Sequence, residues 1–116
     1  MKYLCLVYLA EEHFNRCPDS ECAAYAQQVQ TSGRMVAAEA LHAVQTATTV
    51  RLRNGQMSIT DGPFAETKEQ LAGFYLIEAT DLNEAIRVAA KIPPAKYGSV
   101  EVRPVRALDV EARQRP

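Results

Sequence analysis

Two short segments of this chain, Tyr3–Leu9 and Leu71–Ile77, are apolar at nearly every position. Each is too short for a typical helix, and both are rich in aromatic and branched residues, so each reads as a strand buried on both faces. Only two helical patterns accompany them, and two helices cannot cover both faces of one sheet. The economical way to cover the second face is another copy of the same sheet, packed face to face in a homodimer.

The remaining elements follow from local signals. Pro18-Asp19-Ser20 opens a helix, with proline in the first turn and acidic groups near its positive end. Cys22, Tyr25, Ala26 and Val29 recur at helical spacing and form its apolar stripe. Gly33 ends that helix, and Met35–Leu41 reads as a second strand. Asn54-Gly55 between two alternating runs is a two-residue hairpin signature. If Arg53 faces Gln56, then Leu52 faces Met57 and Val50 faces Ile59, which puts four apolar residues on one side. Asp61–Gln70 is a polar connection. Asp81 and Glu84 have the spacing of a helix capping pair, and Leu82, Ala85, Ile86 and Ala89 supply the expected buried stripe. Pro93-Pro94 ends this helix, and Val100, Val102 and Val105 mark a last strand. The order β-α-β, hairpin, β-α-β defines an α+β class.

A chain of 116 residues fits one domain, and its net charge of −1 gives no global case for nucleic acid or an anionic membrane. Arg103, Arg106, Arg113 and Arg115 crowd the C-terminus and read as a solvated tail. No segment has the length of a membrane span and the start lacks a signal-peptide pattern, so the expected location is the cytoplasm. Three cysteines do not make a disulfide framework. His13, Cys17 and Cys22 lack the paired spacing of a zinc site. No nucleophile elbow or glycine-rich phosphate loop is present, and neither His13 nor His42 stands out as a haem ligand. No cofactor is expected.

The run Thr60–Leu71, followed by Gly73-Phe74-Tyr75, carries Asp61-Gly62-Pro63-Phe64 at its centre. It resembles the signature of DGPF proteins within the YCII-related family. The Met1-Lys2-Tyr3 start, Glu39-Ala40-Leu41 with Ala47–Arg51, and Tyr97–Pro104 match the same pattern. The resemblance implies a ferredoxin-like fold with an inserted β-hairpin, paired as a dimeric α+β barrel, with the domain over 1–106 and a tail over 107–116. A His-Asp pair has been proposed as catalytic in the YCII branch. Many relatives carry histidine before the proline that follows the second helix. This chain has Ile92 there, which leaves such a mechanism without its histidine. Some DGPF proteins are associated with extracytoplasmic-function sigma factors, which implies a regulatory context as an alternative to catalysis.

Asp61 is the candidate catalytic residue. Entering a Gly-Pro turn, its carboxylate can accept hydrogen bonds from the next backbone N–H groups, or it can stand at a pocket rim as a general base or ligand acceptor. Tyr8, Glu39, Glu66, Lys68, Tyr75, Glu101 and Arg103 are the candidate ligand-binding residues. Lys68 would bind an anion beside Asp61, and the tyrosines would add hydroxyls to an apolar pocket. Phe64 is expected to anchor the loop in the core. The expected function is a small-molecule binder or enzyme; the alternative is a non-enzymatic interaction module.

Overall fold

The computed structural model describes residues 1–110. Six strands run β1 Lys2–Ala10, β2 Met35–Ala40, β3 Thr48–Arg53, β4 Gln56–Asp61, β5 Glu69–Glu78 and β6 Ser99–Pro104. Two α-helices, α1 Asp19–Thr31 and α2 Leu82–Ala90, join them, with short 3-10 turns at Glu11–Arg16, Val44–Thr46 and Pro93–Lys96. Four strands form a sheet in the order β2-β5-β1-β6, and β3 with β4 forms a separate hairpin. Every neighbouring pair is antiparallel. The two strands with apolar residues on both faces, β1 and β5, are the central ones. Arg113 and Arg115 lie outside the described residues.

Successive side chains of β1 alternate between two environments. Tyr3, Cys5, Val7 and Leu9 are buried. Most of them pack with Tyr75, Ile77 and Val29 and with Ala85, Val88, Ala89 and Ile92 from α2 and beyond. Leu4, Leu6 and Tyr8 point to the opposite face and are only half-buried. Register places Glu39, Phe74, Leu6 and Glu101 in one row across this face, and Ala37, Leu76, Leu4 and Arg103 in the next. Both helices lie on the first face, so the second is an apolar centre with charged margins and no cover from the described chain. A bulge between Val7 and Tyr8 shifts the pairing so that Tyr8 faces Leu71.

The α1 stripe is as expected: Val29 is buried and Tyr25 and Ala26 pack against the core. The Tyr25 hydroxyl donates 2.7 Å to the Val88 carbonyl and ties the two helices together. The α2 stripe is rotated from expectation. Ala85, Val88 and Ala89 are buried, whereas Leu82 and Ile86 face outward at 49% and 47% exposure. Ala85 and Ala89 let the helix approach the sheet closely, and the phase is fixed by that approach rather than by the largest side chains. Asp81 accepts from the Glu84 N–H at 2.8 Å. The Glu84 carboxylate accepts from Thr80 N–H at 3.1 Å and also binds Arg34.

The hairpin has the register derived from its turn: Arg53 faces Gln56, Leu52 faces Met57 and Val50 faces Ile59. Asn54 and Gly55 both have positive φ, as a two-residue turn of this twist requires. The stripe of Val50, Leu52, Met57 and Ile59 is nonetheless 59–66% exposed.

Gly73 permits close packing of β5 on β2: a Cβ there would lie 2.7 Å from the Glu39 carbonyl oxygen. Gly73→Ala is therefore expected to lower the melting temperature more than Asp81→Ala, which removes one cap hydrogen bond and costs about 1 kcal/mol. Parallel thermal denaturation of the two variants checks the order.

Candidate functional site

A cavity of about 310 Å³ lies between α1 and the β2–β5 half of the sheet. It exists because the facing side chains are small: Ala23 and Ala26 from the helix, and Ala38, Ala40, Ala72 and Gly73 from the sheet region. Val7, Ile92 and Pro94 complete the apolar wall, and Asp19, Cys22 and Tyr75 supply polar groups; Glu39 and Phe74 border the space from the strands, but their side chains belong to the opposite face. Such a cavity suits an apolar ligand body held by few polar contacts. Tyr75, one of the candidate binding residues, lines this cavity, whereas the Glu39 side chain lies on the open face in the row of Phe74, Leu6 and Glu101.

The thiols and phenols around this space are shifted in one direction. Burial pushes Tyr75 up to about 12, and nearby Cys22, Tyr25 and Cys17 add to it. Cys22 is pushed up to about 12 by burial first, then by its hydrogen bond with Cys17 and by that thiol, Asp19 and Glu21. Cys5, fully buried in β1, is raised to about 11 by burial. Low polarity and neighbouring acids both disfavour the anionic forms.

Asp61 lies elsewhere. It is the last residue of β4, is exposed, and lines neither this cavity nor the groove between the helices. The turn after it is held by the backbone of Gly62 rather than by the Asp61 side chain. Gly62 N–H donates 2.7 Å to the Ala47 carbonyl, and the Thr49 hydroxyl donates 2.8 Å to the Gly62 carbonyl. Gly62 has φ of 102°, a conformation suited to glycine. Phe64 is 79% exposed, contrary to the expected core anchor. The loop is tethered through backbone atoms, including an Arg51 contact of 3.5 Å to the Phe64 carbonyl, so its ring is free to face outward.

The other candidates are distributed. Lys68 borders a shallow hollow with Ala10, Glu11 and Glu12, and Glu66 is an exposed loop residue. Glu101 and Arg103 approach to 3.7 Å on the open sheet face, where Tyr8 also points. Sequence reasoning missed Cys17 and Cys22, whose sulfurs are 3.3 Å apart beside the cavity. Their spacing was legible only as a poor zinc pattern. His13 stacks toward Tyr97, with ring centroids 6.2 Å apart. Among the described residues no group of three histidine, cysteine or carboxylate side chains is placed to hold a metal ion, and no helix is long and apolar enough to cross a membrane.

The YCII-related domain family model matches residues 1–109, and the chain belongs to that family. It is similar to an uncharacterised protein of Rhizobium meliloti (strain 1021), 51% identical over 61 residues that cover 51% of this chain and 49% of the relative. The matched chain thus spans about half the length of that relative.

The raised thiol and phenol values have a stability consequence. In the unfolded chain Cys5 and Cys22 ionise near 9.0 and Tyr75 near 10.0; in the fold they stay neutral to about 11 or 12. Unfolding therefore releases protons above pH 9, and the stability these groups contribute, present in full below that pH, is lost as pH rises further. Melting temperature is expected to fall from pH 8.5 to 10.5, and Cys5→Ala is expected to flatten the fall.

Proposed function

We propose that this protein is a cytoplasmic small-molecule-binding protein, acting on or sensing a largely apolar ligand, and that it works as a homodimer. The observation that carries the reading is the cavity bounded by small side chains, with Asp19 and Tyr75 as its polar groups. Asp19 would accept a ligand N–H or O–H, and the Tyr75 phenol, held neutral, would donate one.

The dimer follows from uncovered apolar surface. The strand order β2-β5-β1-β6 suits a ferredoxin-like arrangement with the β3–β4 hairpin inserted. Leu4, Leu6, Phe74 and Leu76 occupy the centre of the open face. Covering it with a second copy gives a dimeric α+β barrel, in which the apolar centres meet and Glu101 and Arg103 lie toward the margin. The exposed hairpin stripe offers further area to the same partner. In this arrangement Asp61, on the DGPF loop, serves as a ligand acceptor or general base in a cleft closed by the second copy, with Lys68 and Glu66 at its rim. A regulatory role through protein contacts, sigma-factor-linked transcription included, is the second reading; the outward hairpin stripe and Phe64 favour it.

Sedimentation is expected to give twice the 12.8 kDa chain mass at micromolar concentration, and Leu6→Lys to shift it to the monomer. A stable wild-type monomer sinks the dimer. A thermal-shift screen of metabolites, with mass spectrometry of co-purifying compounds, is expected to find ligands whose stabilisation Ala26→Leu abolishes by filling the cavity. Asp61→Asn is expected to leave the unliganded melting temperature within about 1 °C, as surface changes usually do, while weakening stabilisation by ligands held in the cleft between copies. Full stabilisation of Ala26→Leu counts against the cavity, and full stabilisation of Asp61→Asn by every compound counts against the cleft.

A further inference from the structure

We propose that Cys17 and Cys22 are a thiol pair that closes to a reversible disulfide by exchange with a low-molecular-weight disulfide of the glutathione class. Their sulfurs are 3.3 Å apart, and a disulfide needs about 2.05 Å, so closure requires only a small shift. Cys17 is extended, with φ −113° and ψ 104°, and precedes the helix. Cys22 is in the first turns of α1. The chain reverses at Pro18, whose carbonyl accepts from the N–H groups of Glu21 and Cys22 at 3.0 and 3.3 Å. That turn brings residues five apart in sequence together.

The two thiols differ in access. Cys22 is half-buried in the cavity wall, whereas Cys17 is buried behind it. A disulfide reagent at the mouth of the cavity meets Cys22 first, because Cys17 does not line it. Cys22 gives its proton to water, its thiolate attacks one sulfur of the reagent, the reagent's S–S bond breaks, and one glutathione leaves as thiolate. Cys17 then gives its proton to water and its sulfur attacks that of Cys22. The mixed disulfide breaks and the second glutathione leaves. Two protein thiols are oxidised and one reagent disulfide is reduced to two thiols.

The high thiol value of Cys22 shapes the behaviour of the pair. A scarce thiolate makes exchange slow near neutral pH. The same environment gives the reduced form no thiolate stabilisation, which favours persistence of the disulfide. Asp19 lies inside the small ring that closure would form, and Asp19 and Cys22 both border the cavity. Oxidation would therefore fix one rim of that space.

The test uses the full chain incubated overnight with excess oxidised glutathione, unfolded in N-ethylmaleimide and digested with trypsin. Maleimide uptake is expected to fall from three to one, the remaining label being on Cys5. The peptide Cys17–Arg34 is expected to be unlabelled and lighter by two hydrogens, and dithiothreitol to restore both labels. Cys17→Ser is expected to stop at a glutathione adduct on Cys22. Full uptake in the wild type, or a lasting glutathione adduct on Cys22 with Cys17 still free, overturns the proposal.

Discussion

The architecture depends on β1 being paired on both edges while its side chains alternate between two apolar environments. Antiparallel bonding to β5 and β6 satisfies its backbone, so apolar side chains on either face leave no orphaned ladder. One face receives α1 and α2 through Tyr3, Cys5 and Val7. The other carries Leu4 and Leu6 in register with Leu76 and Phe74. A polar residue at either set of positions would be placed in an apolar layer, and one at the core set would lack a partner. The positions of both helices, the cavity and the open face all follow from this strand.

The strands and hairpin were legible because two independent signals agreed at each. At Asn54-Gly55 the turn chemistry and the apolar alternation demanded the same register, and the structure has it. At α2 the apolar residues occupy more than half the circumference. Leu82, Ile86 and Ala89 form one acceptable stripe, and Ala85, Val88 and Ala89 leading to Ile92 form another. Periodicity cannot choose between them; the closeness of helix to sheet does, and it selects the alanines. Phe64 shows the same weakness of local reading: a large aromatic suggests burial, but the Gly62 backbone already anchors its loop.

The candidate site was less legible than the fold. Tyr75 was recognisable as a polar residue on an apolar strand, and it lines the cavity, whereas Glu39 falls on the opposite face of the sheet. Asp61 was singled out by its turn, yet within one chain it stands apart from that cavity. Cys17 and Cys22 were invisible as a pair, because spacing by five residues does not place side chains together on a helix. Their approach depends on a bend at Pro18 that joins an extended residue to the first helical turns.

The cavity beside α1 is a space left by absent methyl groups, not one propped open by a frame. Its volume is set by a handful of alanines and one glycine on two facing surfaces. Adding a methyl or two at a helix position would change its shape while leaving the ladders of β1 and β5 untouched. Single small-to-large replacements can thus reshape this space while the fold stays as it is.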